Sequence, residues 1–230
     1  MLYRTLPARE PVPGLNYMRV LGSMWRIYAR TEILRRRALY HACMFGAFSV
    51  FWTAAPLWLT GPQFGLTQKG VAWVALAGVA GAVAPPIAGR VADRGWSKRG
   101  TTIAMMLAVI AFVISDLAHG RSRIALSLVV ACAVILDFAV SANLVFGQRA
   151  VYSLSVEERS RINALFMATF FVGGAVSSAL SGWIYYQFGW TGVSVLEITL
   201  PIAALIYLGT ERHTKRGAEH MGAVSRVEES

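Results

Sequence analysis

Polar side chains within apolar runs are the residues of this sequence that could do chemistry. Asp137, Ser141 and Gln148 lie in one such run. On a helix, positions four and eleven residues apart lie within about 40° of one another, so these side chains share one face. A carboxylate in the middle of a membrane is costly and is taken as functional by default. Asp137 is therefore the candidate to bind a proton or a cationic substrate; the alternative is a buried hydrogen-bonding residue that fixes helix packing.

Two further sets of residues add to the candidate site. Glu197 lies in a later apolar run, where a coupling role and a packing or pairing role are equally open. In the first run, His41, Phe45, Phe48 and Trp52 recur at helical spacing. The three aromatic residues predict a wall for an amphipathic substrate, with helix packing and lipid contact as the alternative. His41 is expected near the interface, in contact with water.

These residues are positioned by apolar runs that are long enough to cross a bilayer. The chain is 56% hydrophobic and only 15% charged, whereas soluble domains carry about 25% charged residues. A bilayer core about 30 Å thick needs about 20 apolar residues in a helix, and helices satisfy their own backbone in lipid. Six runs qualify, which predicts an all-α membrane protein: Ala38–Leu59, Val71–Gly89, Thr101–Leu117, Ile124–Gln148, Ile162–Phe188 and Thr191–Gly209.

The distribution of Lys and Arg predicts the orientation of these runs. Nineteen of the 22 basic residues fall before the first run, in the second and fourth connections, or in the tail. Only Lys69, Arg121 and Arg123 fall on the other side. Cytoplasmic loops carry the excess of Lys and Arg, so both termini are expected in the cytoplasm. The net charge of +10 therefore reflects membrane topology, and no nucleic-acid partner is expected.

These patterns divide the chain into three parts. Residues 1–37 are predicted to be a cytoplasmic linker, in which Leu15–Arg37 forms an amphipathic helix on the anionic membrane surface; the alternative is a partly disordered basic linker. Residues 38–209 are the six-helix transmembrane domain. Residues 210–230 are a polar cytoplasmic tail. Cys43 and Cys132 lie inside apolar runs, so we expect neither a disulfide framework nor a metal site.

The connection between the second and third runs carries a recognisable motif. It begins at Gly89 and includes Asp93, Arg94, Lys98 and Arg99. This stretch resembles the G-x-x-x-D-R-x-G-R-[RK] loop of the major facilitator superfamily, with Trp96-Ser97 in place of the usual Gly-Arg pair. Asp93 is expected to face a helix N-terminus or an arginine, in a contact that breaks when the two halves of such a transporter rock.

Later segments resemble the drug:proton antiporter type of facilitator. They include Arg159–Ala164, Gly173–Ala175 and Phe188–Trp190. Two small faces predict close helix contact, one formed by Gly174, Ser178 and Gly182 and the other by Gly81, Pro85 and Gly89. Pro85-Pro86 is expected to kink the second span.

The resemblance covers nearly the whole chain but only half of the family's fold. It implies helices seven to twelve of a twelve-helix transporter, with Asp137 and its stripe facing the cavity. The implied function is secondary active transport of a small solute, with proton-coupled efflux by alternating access across the bacterial inner membrane. The expected partners are the solute, protons, membrane lipid and an N-terminal six-helix half.

Three alternatives compete with transport by this chain alone. A truncated or partner-dependent half-transporter would be inactive by itself. An intramembrane serine protease would need an activated serine beside a histidine at membrane depth, and His41 and His119 are not expected there. A channel would need a filter sequence, which is not recognisable. We therefore expect no enzymatic activity and no cofactor.

Overall fold

The computed structural model describes residues 17–118, 122–155 and 157–211, and every regular element in these ranges is helical. The predicted tail falls outside them from residue 212 onward, as does the linker before residue 17. The elements are α1 (Tyr17–Arg30), α2 (Glu32–Thr60), α3 (Gln68–Gly78), a 3-10 segment (Val79–Val83), α4 (Ala84–Asp93), α5 (Ser97–Asp116), α6 (Arg123–Tyr152) and α7 (Arg159–Gly209).

Five helical stretches in the described residues are long and apolar enough to cross a membrane: Glu32–Thr60, Gln68–Asp93, Ser97–Asp116, Arg123–Tyr152 and Arg159–Gly209. The last is 51 residues long, which at 1.5 Å per residue is about 77 Å and far exceeds a bilayer core. Its backbone is interrupted at Gly189, where φ is 63° and ψ is −156°. Glycine suits this position because L side chains rarely adopt a positive φ.

The second stretch is not a continuous α-helix. The α-helix stops at Gly78, continues as a 3-10 turn over Val79–Val83, and resumes at Ala84 with Pro85 in the first turn. Pro85 and Pro86 have no backbone N–H, so they cannot donate the hydrogen bonds that would continue the α-helix through the preceding turn. That turn is the 3-10 segment. This segment packs very closely on α6. A Cβ added to Gly81 would lie 2.6 Å from both Cβ of Asp137 and the backbone nitrogen of Phe138.

The two predicted small faces are each used only in part. A Cβ on Gly174 would lie 2.6 Å from the Phe45 ring, and Ser178 Oγ lies 2.7 Å from Thr53 Oγ1. Gly182, in contrast, has nothing within 4 Å, and Gly89 meets only an Arg149 nitrogen at 3.8 Å. The expectation of close helix contact was therefore wrong at Gly182 and Gly89, because no neighbouring helix backbone lies within 4 Å of a Cβ at either position.

The first membrane-length helix begins earlier than the apolar run. Predicted to start at Ala38, it starts at Glu32, and the helix before it ends at Arg30. Arg35, Arg36 and Arg37 therefore belong to its first turns, and the last two of them contact α5 or α7. Arg36 donates to the Tyr207 carbonyl (3.3 Å) and to Thr210 Oγ1 (3.1 Å), and Arg37 donates to Thr101 Oγ1 (3.1 Å). These bonds tie the first turns of α2 to α5 and to the end of α7.

The core runs along α2, which packs against both segments of α7 and against α6. Its largest fully buried side chains include Tyr40, Phe51, Phe112 and Phe166. At the end far from the arginines, the rings of Trp58 and Trp190 stack with centroids 3.7 Å apart. Trp58 Nε1 also donates to Gln63 Oε1, and the Gln63 amide donates to the Ala118 carbonyl. Polar and aromatic contacts thus close both ends of the helical bundle.

We expect Gly81→Ala to lower the melting temperature of the protein and Gly182→Ala to leave it unchanged or raise it. The added methyl group at position 81 meets the backbone of α6, and overpacking of this kind typically costs about 1–3 kcal/mol. Alanine at position 182 has open space around it and gains in helix propensity. Thermal unfolding in detergent measures the difference. Equal melting temperatures in the two variants would contradict the close packing of the 3-10 segment on α6.

Candidate functional site

Asp137 lies at the midpoint of α6, where three elements meet. Its Oδ1 accepts a hydrogen bond from Trp52 Nε1 of α2 at 3.2 Å. On another side, a Cβ on Gly78 would clash with its Oδ2, so Gly78 makes room for the carboxyl group, and Gly81 makes room for the Asp137 Cβ. The side chain is half-buried. Among the described residues its hydrogen-bond donor is a neutral indole, and no cation is paired with the carboxylate.

The predicted aromatic residues form a continuous row that ends at this carboxylate. The ring of Phe45 stacks on Phe48 with centroids 5.6 Å apart, and Phe48 meets Trp52 edge to face at 6.3 Å. Phe45 also contacts Phe170 and Phe171 of α7. All three predicted aromatics are half-buried. The row is therefore held by α7 at one end and by the hydrogen bond to Asp137 at the other.

The other polar residues of the α6 stripe are not gathered around Asp137. Ser141 and Gln148 are half-buried and follow it on the same helix, and neither forms a hydrogen bond with it. Their common face follows from helix geometry alone. A site that uses all three would run along α6 instead of surrounding one point.

A buried polar pair on α2 and α6 was missed by the sequence analysis. The Asn143 amide donates to Nδ1 of His41 at 3.1 Å, and both side chains are almost fully buried. Phe166 stacks on the His41 ring at 5.9 Å, and Phe170 meets it edge to face at 4.7 Å. The expectation that His41 contacts water was wrong, because α7 covers it. Asn143, an amide in the middle of an apolar run, was the signal that could have revealed this pair.

Glu197 forms no hydrogen bond with Asp137 or with Trp52. It sits in the second segment of α7, is 0% exposed, and neither carboxylate oxygen has a hydrogen-bond partner. A groove of about 580 Å³ lies between the two segments of α7 and is lined mainly by apolar residues, together with Thr191 and Thr199. Its lining includes none of the predicted site residues, so it is not the site that the sequence predicted.

The motif residues lie at the ends of α4 and α5 and contact two other helices. Asp93 Oδ1 lies 2.8 Å from Nη1 of Arg149, at the end of α6. Lys98 Nζ lies 3.8 Å from Oε2 of Glu211, which also pairs with Arg37 at 3.6 Å. The other motif residues, Gly89, Arg94 and Arg99, are half-buried or exposed, and Arg99 lies over the Trp96 ring. The arginine partner expected for Asp93 is therefore Arg149 of α6, which belongs to this same chain.

Comparison with known proteins decides the family. The sequence profile of the Major Facilitator Superfamily matches residues 25–226. The chain belongs to the major facilitator superfamily. The resemblance carried by the Gly89–Arg99 loop is thereby confirmed, and this facilitator chain is an all-helical, multi-pass membrane protein. Its similarity to the drug:proton antiporter type stays a prediction.

Several bacterial relatives of this facilitator chain are named as transporters. It is 30% identical over 217 residues to "Uncharacterized transporter YgaY" of Escherichia coli O157:H7, and equally identical over the same length to the YgaY transporter of Escherichia coli strain K12. It is 32% identical over 165 residues to "Probable transporter SCO4007" of Streptomyces coelicolor, covering 71% of this chain and 37% of that protein. The YgaY matches cover 94% of this chain and 54% of the relative, so the chain spans about half the length of the relatives it matches.

We expect the Asp93–Arg149 pair to contribute little to stability. Both side chains are more than half exposed, and exposed ion pairs contribute about 0–1 kcal/mol and are screened by salt. Asp93→Asn, Arg149→Gln and the double variant therefore have melting temperatures close to that of the wild type. Arg94→Gln is the control for loss of a neighbouring charge. A double-mutant cycle with a coupling energy of several kcal/mol would contradict this assignment and indicate a buried pair.

Proposed function

We propose that this chain is the C-terminal six-helix half of a secondary active transporter that exports a small solute in exchange for protons by alternating access. Its family and the names of its relatives support transport. The observation that carries the proposal is the Asp137 carboxylate, half-buried at the midpoint of α6 and bonded to Trp52. The activity is transport of solute, with no enzymatic step and no cofactor.

Asp137 is proposed as the group that takes up and releases the transported proton. A carboxylate at this depth must be neutralised when the surrounding protein excludes water, either by a proton or by a cationic substrate. Trp52 Nε1 can donate to the ionised form, so the carboxylate keeps one partner when the proton leaves. Ser141 and Gln148 then offer polar contacts to the solute along the same helix face.

The row formed by Phe45, Phe48 and Trp52 is proposed as the apolar wall of the solute pathway. Its members are neither fully buried nor fully exposed, which leaves part of each ring for a solute. The row joins directly to Asp137 through Trp52. An amphipathic cation could therefore place its apolar part on the rings and its charge beside the carboxylate.

The Asp93–Arg149 ion pair is proposed as a contact that changes between the inward-open and outward-open states. It joins the end of α4 to the end of α6 at 2.8 Å, and both partners are exposed. Because exposed pairs contribute little free energy, breaking this one leaves the helical bundle intact. The pair can therefore help to select between two conformations that are close in energy.

The proposed topology has six spans with both termini in the cytoplasm of a bacterium, in the inner membrane. It is supported by the break at Gly189, which divides the 51-residue helix, and by the excess of Lys and Arg on one side. In the proposed linker, α1 exposes Met18, Leu21 and Trp25 on one face, with Arg26 and Arg30 also exposed. An amphipathic helix of this kind suits the anionic membrane surface.

The topology predicts which introduced cysteines react from outside the cell. After Cys43→Ala and Cys132→Ala, Thr60→Cys should react with a membrane-impermeant maleimide in intact cells. Ser153→Cys should react only after the membrane is permeabilised. Both positions are exposed, so accessibility within the protein is matched. Reaction at position 153 in intact cells would overturn the proposed orientation.

The alternative proposal is a partner-dependent half-transporter, which would not transport solute by itself. The chain spans about half the length of its YgaY relatives, and facilitators bind solutes between two six-helix halves. A partner-dependent half would therefore transport only with six further helices. Blue-native mass together with flux in liposomes separates the two: flux by the monomeric chain alone would exclude partner dependence.

We expect Asp137→Asn in the complete transporter to abolish proton-coupled flux. Asparagine retains the volume and a hydrogen-bond acceptor for Trp52 but cannot exchange a proton. Asp116→Asn is the matched control, since Asp116 is an exposed carboxylate at the end of α5 and its loss should leave coupling intact. The measurement is solute flux driven by an imposed pH gradient in proteoliposomes. Undiminished flux in the Asp137 variant would remove this carboxylate from the mechanism.

A further inference from the structure

The inner face of α7 after the Gly189 break carries three polar residues at helical spacing. Trp190, Ser194 and Glu197 are separated by four and three residues, which places them on one face. Ser194 is 3% exposed and Glu197 is 0% exposed. Trp190 Nε1, Ser194 Oγ and both Glu197 carboxylate oxygens are buried, and none has a hydrogen-bond partner among the described protein groups.

The described residues of the neighbouring helices supply no cation to this face. Asp116 of α5 interacts electrostatically with Glu197 and has the same sign when ionised, while the titratable group of α6 that interacts with it is the Cys132 thiol. The α2 residues packed beside this segment, Val50 and Ala54, are apolar. Among the residues that the structure describes, an ionised Glu197 would therefore be a buried anion without a counter-charge, which is strongly unfavourable.

The geometry of the segment keeps these groups in place. The Trp190 ring is stacked on Trp58 with centroids 3.7 Å apart, so the indole N–H is held in position. Pro201, four residues after Glu197, lies inside the helix and has no N–H to donate to the Glu197 carbonyl. The site thus concentrates indole and hydroxyl donors, a carboxyl group and a released backbone carbonyl. A buried water molecule typically makes two to four hydrogen bonds, which these groups can provide.

We propose that Glu197, Ser194 and Trp190 form an internal proton-binding site in which Glu197 is held as the neutral acid and ordered water bridges it to the serine hydroxyl and the indole. The site is separate from Asp137, which is half-buried and bonded to Trp52. Its ligands are a proton and water. The inference does not rest on the proposed transport function, because it concerns the protonation of one side chain in the folded protein.

Infrared spectroscopy of the purified protein in lipid nanodiscs at neutral pH tests the proposal. A protonated carboxyl group gives a carbonyl stretch that shifts in D₂O. We expect this band in the wild type, its loss in Glu197→Gln, and its retention in Asp116→Asn, which removes an exposed carboxylate. If the wild type lacks the band, or if Glu197→Gln retains it, the proposal is overturned. Asp137→Asn identifies any second band that belongs to the transport site.

Two further variants keep Glu197 and test the bridging water. Ser194→Ala and Trp190→Phe each remove one donor, and each should shift the Glu197 band toward the position of a less hydrogen-bonded acid. A band that neither variant shifts would overturn the water-bridged arrangement. A cation on an ionised Glu197 is the competing occupant. Melting temperatures in sodium chloride and choline chloride of equal ionic strength distinguish it: sodium-specific stabilisation that Glu197→Gln abolishes would also overturn the proposal.

Discussion

The hydrogen bond from Trp52 to Asp137 joins the two helices on which the candidate site depends. The donor and the acceptor are 85 residues apart in the chain and lie on different helices. The bond therefore forms only if α2 and α6 place these two residues at the same depth and turn them toward each other. It also requires that the second membrane-length stretch, which packs on α6 beside Asp137, have no side chain at the point of contact. Gly78 leaves space for the carboxyl group, and Gly81 leaves space for the Asp137 Cβ and the backbone of α6. One polar contact in an apolar environment therefore constrains three elements.

The ends of the bundle are held by different physical interactions. At the end that carries the first turns of α2, Arg36 and Arg37 bond to carbonyl, hydroxyl and carboxylate groups of α5 and α7. At the other end, the stacked rings of Trp58 and Trp190 close the bundle. Charged bonds suit the end where the basic residues of the chain are concentrated, and stacked rings bury apolar surface without a counter-charge. Between these ends, the middle of the bundle holds the polar groups that could change their protonation.

Those polar groups fall into chemically different environments. Asp137 is half-buried with an indole donor, and the His41–Asn143 pair is self-satisfied and enclosed by phenylalanine rings. Glu197 is buried without a hydrogen-bond partner in the part of the chain that the structure describes. A group that must exchange protons with water needs access, which favours Asp137 over His41 for coupling. A group that stays enclosed must be neutral or be met by water. This contrast is the reason for assigning separate roles to the two carboxyl groups.

Local properties of the sequence determined the apolar segments, their approximate ends, the asymmetry of Lys and Arg, and the motif that places the chain in its family. Hydropathy, charge and helical spacing depend on residues that are close in the chain, so they could be predicted without a structure. The same reasoning put Phe45, Phe48 and Trp52 on one helix face. Only the tertiary structure decided that this row ends at Asp137, that His41 is covered by α7, that Asp93 pairs with Arg149, and that Glu197 has no hydrogen-bond partner within the described ranges. These outcomes depend on the depth and rotation of each helix relative to its neighbours, which packing between distant residues determines.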